Sequence, residues 1–230
     1  MNIPENLAAI LARIDAARKM AIAPAPQTAL VAIAKTVDAA GVREALDAGQ
    51  RLFGENRVQE AQKKYPALKT QFPDLELHLV GPLQSNKVRD AIALFDCVQT
   101  LDREKLADAF AAEQDKGRKI PRLLVQVNTG EEEQKTGVLP RAAAALIASA
   151  RDRKLPVEGL MCIPPASDDA APHFALLAKI ARDNGLSTLS MGMSGDFEVA
   201  IEEGSTLVRI GTALFGDRPR PIRSAPDPDA

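Results

Sequence analysis

ALVAIAKTVDAAGVREALDAGQRLFGEN, residues 29–56, contains two short apolar runs separated by a segment with helical periodicity. The first run, ALVAIA (29–34), is almost continuously apolar, and the second, RLFG (51–54), follows the helix-like stretch AGVREALDAG (40–49). Apolar strands joined by a helix are typical of parallel strands that are buried on both faces of a sheet. The stretch therefore predicts one right-handed strand–helix–strand crossover.

The same alternation continues along the chain. The eight apolar runs begin on average about 25 residues apart, and each gap holds a helix-like segment. Eight such units predict a compact, single-domain (β/α)8 barrel, with a doubly wound open sheet as the alternative because spacing does not reveal closure. The six further runs are LELHLVG (75–81), DCVQT (96–100), RLLVQV (122–127), VEGLMCI (157–163), STLSM (187–191) and TLVRIG (206–211).

The two ends of the chain differ from the alternating part. Residues 4–20 form an amphipathic pattern and predict an added helix on the outside of the barrel. Residues 218–230, rich in proline and poor in apolar residues, predict a disordered tail, so the domain is expected to span residues 1–217.

Composition excludes several classes of function. The 29 Lys and Arg residues against 31 Asp and Glu give a net charge of −2, without the basic excess that nucleic-acid binding needs. Only Cys97 and Cys162 are present, both in apolar stretches, and the two histidines are far apart, so neither a disulfide scaffold nor a metal centre is expected. No run reaches the roughly 18 apolar residues of a membrane span. We expect a cytoplasmic protein.

Polar residues follow several of the predicted strands, at the end of a barrel where active sites lie. Lys35 ends the first apolar strand; an amine at the edge of an apolar wall loses solvation, which favours its neutral, nucleophilic form, although a lysine can also simply extend to water from such a position. The turns SMGMSGD (190–196) and RIGTALFG (209–216) occupy the places where barrels bind phosphate, although either could be an ordinary turn. Together these features point to a phosphorylated aldehyde as ligand.

Seven segments, in order, are distinctive: AIAKT, FGENRVQE, HLVGPLQSNK, VQVNTGEEEQKTG, GLMCIP, LSMGMS and GSTLVRIGTALFG. At matching spacing they resemble the pyridoxal phosphate (PLP) homeostasis proteins, and the resemblance covers residues 28–216. The resemblance implies the barrel domain of fold-type III alanine racemase without its second domain. It also implies PLP held as a Schiff base on Lys35, with the other cofactor-binding residues Asn56, Met191, Ser194, Arg209, Gly211 and Thr212. Of these, Asn56 would lie beside the cofactor, Arg209 near its pyridine ring, and the last two with Ser194 around its phosphate.

The sequence departs from the family at three places. Arg57 stands where a tyrosine is frequent, Leu77 replaces a frequent tryptophan, and Val37 and Asp38 replace a common Lys-Pro pair. None of these changes touches Lys35 or the phosphate turns. Asp38 is predicted to cap the following helix.

The resemblance implies a carrier and regulator of intracellular PLP (vitamin B6) and amino-acid balance, with no dedicated turnover. Racemisation with two bases needs a tyrosine that the racemases take from their second domain, and the only tyrosine here is Tyr65, in a helical segment. A PLP-dependent amino-acid racemase or lyase is the main alternative, and an aldolase that uses Lys35 without PLP is the third hypothesis. The expected partners are PLP itself and apo forms of PLP enzymes, and the expected state is a monomer.

Overall fold

Eight parallel strands close into one barrel. The computed structural model describes residues 2–21 and 27–216, so the predicted tail and the domain boundary at residue 217 lie outside the described residues. Each strand pairs with the next along the chain and the last with the first, which confirms the barrel and rules out the open sheet. The strands are β1 Ala29–Ile33, β2 Leu52–Glu55, β3 Glu76–Leu79, β4 Cys97–Leu101, β5 Arg122–Val127, β6 Val157–Cys162, β7 Thr188–Ser190 and β8 Leu207–Ile210.

Helices surround the barrel and add an N-terminal element. They are α1 Ile3–Met20, α2 Ala39–Asp47, α3 Val58–Gln71, α4 Val88–Ile92, α5 Glu104–Gln114, α6 Pro140–Asp152, α7 Ala170–Asp183, α8 Phe197–Glu202 and α9 Thr212–Phe215, with a 3₁₀ turn at Ser85–Lys87. The Asp38 side chain accepts a hydrogen bond from the Gly41 amide (2.8 Å), so Asp38 is the N-cap of α2, as its position predicts.

Two helices differ from the sequence expectation. The pattern RVQEAQKKY predicts a helix that stops at Tyr65, but α3 continues through Pro66 to Gln71. Buried Leu68 lies beyond the proline, and its packing against the core offsets the hydrogen bond that Pro66 cannot donate. The segment RIGTALFG predicts only a turn after β8, but Thr212–Phe215 form the short helix α9. Four residues are too few to show a helical period in the sequence.

Helix α1 packs on the outside of the barrel against α8 and α9, as predicted. Leu7, Ile10 and Ile14 form its buried face. The Asn6 side chain donates to the Leu214 carbonyl (3.0 Å), which ties α1 to the carboxyl end of α9. The N-terminal helix therefore helps to hold the loop after β8.

Alternate residues of the strands face two different environments. The outward ones, such as Val98 and Val125, belong to the large apolar cluster beneath the helices, and the inward ones, such as Cys97 and Leu124, form a smaller cluster of their own. The inward positions also hold polar side chains, and His78 of β3 is fully buried among them. The barrel interior is thus partly polar, which raises the question of how each polar group is satisfied.

The imidazole of His78 is held between Gln99 and Glu76, and Arg122 Nη2 lies 3.3 Å from its Nε2. Gln99 Nε2 lies 2.7 Å from His78 Nδ1, and His78 Nε2 lies 2.5 Å from Glu76 Oε1. The pKa of His78 is lowered to about 4, mainly by burial. The negative charge of Asp96 raises this pKa, the positive charge of Lys69 lowers it further, and burial is the largest of the three effects. Because the unfolded chain binds a proton on this residue below about pH 6.5 while the native barrel does not until about pH 4, acid destabilises the native state in this window.

We expect His78→Gln to flatten the acid side of the stability profile. In the wild type, His78 should remove up to about 3 kcal/mol of unfolding free energy as the pH falls from about 6.5 to about 4. Urea unfolding at several pH values measures the difference in unfolding free energy between the two proteins. Buried Glu55, whose pKa is raised, contributes to the pH dependence with the opposite sign, but it is present in both proteins and cancels in the difference. Identical pH slopes for the two proteins would contradict this account.

Candidate functional site

A cavity of about 530 Å³ opens at the carboxyl ends of the strands. Loops after β1, β2, β3, β6, β7 and β8 contribute to its wall, together with the start of α1. Five of its lining residues carry polar groups that the sequence predicts for a cofactor site. These are Lys35, Asn56, Ser194, Arg209 and Thr212, and Gly211 lies between the last two.

Lys35 lies two residues beyond β1 and is exposed to solvent. The expectation that an apolar wall would desolvate this amine is therefore wrong. The next residue explains the outward course of the chain: Thr36 has a φ of 68°, a left-handed conformation that is strained for a β-branched residue, and the Val37 amide closes the turn on the Ala34 carbonyl (3.0 Å). The turn leaves the Lys35 side chain accessible in the cavity wall.

A buried ion pair supports the same turn from behind. Lys64 Nζ donates to Glu55 Oε1 (2.7 Å) and to the Ala34 carbonyl (2.8 Å), so α3 is tied to the residue before Lys35. Burial raises the pKa of the Glu55 carboxyl, and the Lys64 ammonium opposes that shift. The pair therefore fixes the backbone at the lysine while keeping its own charges balanced inside the protein.

Tyr65 is fully buried and does not reach the cavity. Its ring packs against Phe53, with 6.3 Å between ring centroids, and its hydroxyl faces the buried Glu55 carboxyl. Burial and the nearby Glu55 carboxylate raise the pKa of this phenol. The only tyrosine of the chain is thus a core side chain that cannot exchange protons with a ligand in the cavity.

Arg209 brings a buried positive charge to the cavity. Its side chain lies inside the barrel, with Nη1 donating to Ser190 Oγ (2.7 Å) and Nη2 donating to the Cys162 carbonyl (2.7 Å). No carboxylate within residues 2–21 and 27–216 forms an ion pair with it, and burial lowers its pKa. Because an arginine has five N–H donors, donors remain for a ligand that carries an acceptor or a negative charge.

Two backbone segments that contribute to the cavity wall carry unpaired amides. The N–H groups of Ser194 and Gly195, and those of Gly211 and Thr212, donate to no protein acceptor in the part of the chain that the structure describes. Clustered free amides are the ordinary binding site of a phosphate group. The structure therefore brings Ser194, Gly211 and Thr212 together as the sequence predicts.

Two glycines allow close backbone contacts around the cavity. A Cβ on Gly81 would lie 2.2 Å from the Asn56 carbonyl oxygen, so the absence of a side chain at position 81 lets the loop after β3 approach the backbone of Asn56. Gly192 has a φ of 92°, and its carbonyl accepts the Arg209 amide (2.9 Å). A glycine conformation thus joins the β7 loop to the strand that carries Arg209.

Met191 is the one predicted cofactor residue that the structure does not bring to the cavity. Its side chain is fully buried in the apolar core, and Met193 lines the cavity instead. The left-handed Gly192 turns the chain between the two methionines, which decides which of them faces the opening. Sequence reasoning also missed Ile3, Thr36, Val80 and Ile163 in the wall, because neither the first residue of a helix nor single apolar or hydroxyl residues after a strand carry a pattern that marks a site.

Known proteins resemble this chain over most of its length. The family model of the alanine racemase N-terminal domain matches residues 6–219. The pyridoxal phosphate homeostasis protein of Aquifex aeolicus is 42% identical, over 95% of this chain and 99% of its own length. Its counterpart in Pseudomonas aeruginosa is 44% identical, over 94% and 96%. The chain belongs to the pyridoxal phosphate homeostasis protein family.

A solved member of this family shares the fold. PipY of Synechococcus elongatus PCC7942, determined with PLP bound, is 37% identical with a TM-score of 0.78, and the match covers 93% of this chain and all of PipY. In the present chain, no three His, Cys, Asp or Glu side chains among the described residues cluster as a metal site would require. Nor is any helix in the described ranges both long and apolar enough to cross a membrane.

We expect Gly192→Ala to destabilise the protein by about 2 to 4 kcal/mol, through backbone strain and overpacking. A Cβ at this position would lie 2.6 Å from Ala200 Cβ and 2.9 Å from Phe197 Cα, in addition to the positive φ. Gly195→Ala is the matched control in the same loop, because a Cβ there meets nothing within 4 Å and should change stability by less than about 0.5 kcal/mol. Chemical denaturation of both variants tests this, and equal losses would show that the Gly192 turn is not a constraint.

Proposed function

We propose that this chain binds PLP in the cavity, holds it covalently on Lys35 and serves as a carrier and regulator of cellular PLP and amino-acid balance. The observation that carries the proposal is the meeting of three features on one cavity wall. These are an accessible amine at Lys35, a buried arginine without a carboxylate partner, and two sets of unpaired amides.

The residues present fit the chemical groups of PLP. A phosphate dianion suits the free amides of the β7 and β8 loops, with the hydroxyls of Ser194 and Thr212 beside them. The pyridine nitrogen is a hydrogen-bond acceptor, which suits the remaining N–H donors of Arg209. Asn56 and the apolar Val80 line the same cavity, where one can offer an amide and the other a surface for a ring.

PLP supplies an electrophilic aldehyde carbon and an electron-withdrawing ring. The Lys35 nitrogen forms a C=N bond to that carbon, and the aldehyde oxygen leaves as water. The exposure of Lys35 allows the reverse step, attack by water or by an incoming amine, without any opening of the barrel. Lys35 therefore binds reversibly, which is what a carrier requires.

Arg209 argues against strong catalysis. Its permanent cation disfavours a second positive charge on a pyridine nitrogen held beside it, so the ring stays unprotonated and withdraws electrons weakly. The burial of Tyr65 keeps from the cavity the tyrosine that racemases use as the second base of two-base racemisation. These two features favour a PLP carrier without dedicated turnover over a racemase or lyase.

The proposal extends to the setting of the protein. The cavity is open and its amine accessible, which suits transfer of PLP to apo forms of PLP-dependent enzymes. The barrel leaves no strand edge for a second chain to extend, which is consistent with a monomer. We place this carrier in the cytoplasm, where such enzymes and reduced cysteines occur.

Lys35→Ala should abolish the visible absorbance band of PLP bound to the purified protein. Lys63→Ala is the matched control, because Lys63 is an exposed lysine on α3 that does not line the cavity. Borohydride reduction followed by peptide mass analysis should place PLP on the peptide that contains Lys35 in the wild type and in the control. A colourless wild type that takes up no added PLP would instead favour the aldolase hypothesis.

Purified protein loaded with PLP should not racemise or cleave single L-amino acids at enzyme rates. We expect no more D-isomer or breakdown product than free PLP yields at the same concentration, with the Lys35→Ala protein as the second reference. Chiral chromatography measures the product. Lys35-dependent turnover in the usual range of about 1 to 1,000 per second would establish an enzyme instead.

A further inference from the structure

A chain of hydrogen bonds crosses the barrel interior from the cavity to the opposite end. Arg209 Nη1 lies 2.7 Å from Ser190 Oγ, which lies 2.6 Å from Gln99 Oε1. Gln99 Nε2 then lies 2.7 Å from His78 Nδ1, and His78 Nε2 lies 2.5 Å from Glu76 Oε1. Three strands, β7, β4 and β3, contribute to this relay, which we define as Ser190, Gln99, His78 and Glu76.

Chemistry at its two ends sets one direction for the whole relay. A guanidinium has no acceptor, so Ser190 accepts from Arg209 and has its own proton left for Gln99 Oε1. The amide of Gln99 then turns its N–H toward His78 Nδ1, which leaves the imidazole proton on Nε2. The Glu76 carboxylate accepts that proton's hydrogen bond at 2.5 Å, and Arg122 Nη2, which lies farther from His78 Nε2 (3.3 Å), donates to the same carboxylate, so every donor within the relay points away from the cavity.

The burial of the relay shows that it is more than a surface network. Ser190, Gln99 and His78 are each fully buried, and Arg209 is only 4% exposed. At the far end Glu76 is partly exposed and pairs with Arg122. Of this series only Arg209 touches the cavity, so the three buried relay members act on a ligand solely through the guanidinium.

We propose that Ser190, Gln99 and His78 are positioning residues for Arg209, which keep its guanidinium aimed at the ring of bound PLP. The inference rests on the proposed function. Two bonds hold the guanidinium, one to Ser190 and one to the rigid Cys162 carbonyl, and only the first is made by a side chain that can rotate. Gln99 prevents that rotation because it engages the Ser190 proton, and His78 in turn fixes which way the Gln99 amide faces.

Gln99→Leu and Ser190→Ala test the proposal by cutting the relay at two points. Both substitutions should shift the visible band of bound PLP and weaken the affinity for PLP about tenfold, because the Arg209 guanidinium is no longer held in a single orientation. The readouts are the position of the band and the dissociation constant from a PLP titration. Unchanged band and affinity in folded Gln99→Leu protein would overturn the proposal and leave the relay a purely structural network.

Two serine variants separate positioning from stability. Ser205→Ala removes another fully buried serine, whose hydroxyl lies 2.8 Å from the Met191 carbonyl and makes no contact with Arg209. It should lower the unfolding midpoint while leaving the band and affinity within about twofold of wild type. Ser190→Thr keeps the hydroxyl and should restore the wild-type band. A band shift in Ser205→Ala equal to that in Ser190→Ala would count against the relay.

A measurement on the unmutated protein decides the case if the relay variants do not fold. The chain has only two histidines, so the ¹⁵N shifts of the His78 ring can be assigned with one substitution at His173. The relay requires the neutral form with its proton on Nε2 at neutral pH, and a proton on Nδ1 would overturn the proposal. Failure of the wild type to bind PLP would refute the proposed function instead, and the histidine shifts do not depend on it.

Discussion

The parallel pairing of β1 with β8 is the constraint on which the site depends. Four residue pairs in register, from Ala29 with Leu207 to Ala32 with Ile210, join the first strand to the last and close the barrel. Gly211 continues beside β1, where a Cβ would lie 3.1 Å from the Ile33 carbonyl. The amine that follows β1 and the free amides that follow β8 thus reach the same cavity from opposite ends of the sequence. Without closure, neither group would have the other as a neighbour.

A second constraint is the cost of the charge inside that barrel. A buried guanidinium without a carboxylate partner loses hydration that protein dipoles must replace. The Cys162 carbonyl and the Ser190 hydroxyl replace part of it, and the relay links the latter to the partly exposed Glu76 carboxylate. The remaining donors of Arg209 are therefore available to a ligand that carries an acceptor.

Patterns of consecutive residues predicted much of this architecture, whereas contacts between residues far apart in the sequence could not be predicted. The β5 strand and the Asp38 cap were predicted correctly because apolar runs and cap spacing involve only a few consecutive residues. Closure could only be a hypothesis, since spacing is the same in open and closed parallel sheets. The exposure of Lys35 follows from one left-handed residue, Thr36, which no composition rule would place there. The sequence could not predict the relay for a similar reason. His78 and Gln99 lie on different strands, and the stagger between the strands of the closed barrel decides whether their side chains come into contact.

The contrast between Lys35 and Arg209 explains how one cavity can both retain and release a ligand. Arg209 is rigid, buried and bound at two points, so it can define the place of a ring with little loss of side-chain entropy on binding. Lys35 lies on a strained turn and is exposed, so the proposed covalent link to PLP would form and break in contact with solvent. An enzyme of this chemistry would instead exclude water around the reacting carbon and supply a second proton donor, and the only tyrosine of this chain is locked against Phe53. Under the proposed function, Arg209 would retain the ring of PLP and Lys35 would allow its exchange, an arrangement that suits delivery better than turnover.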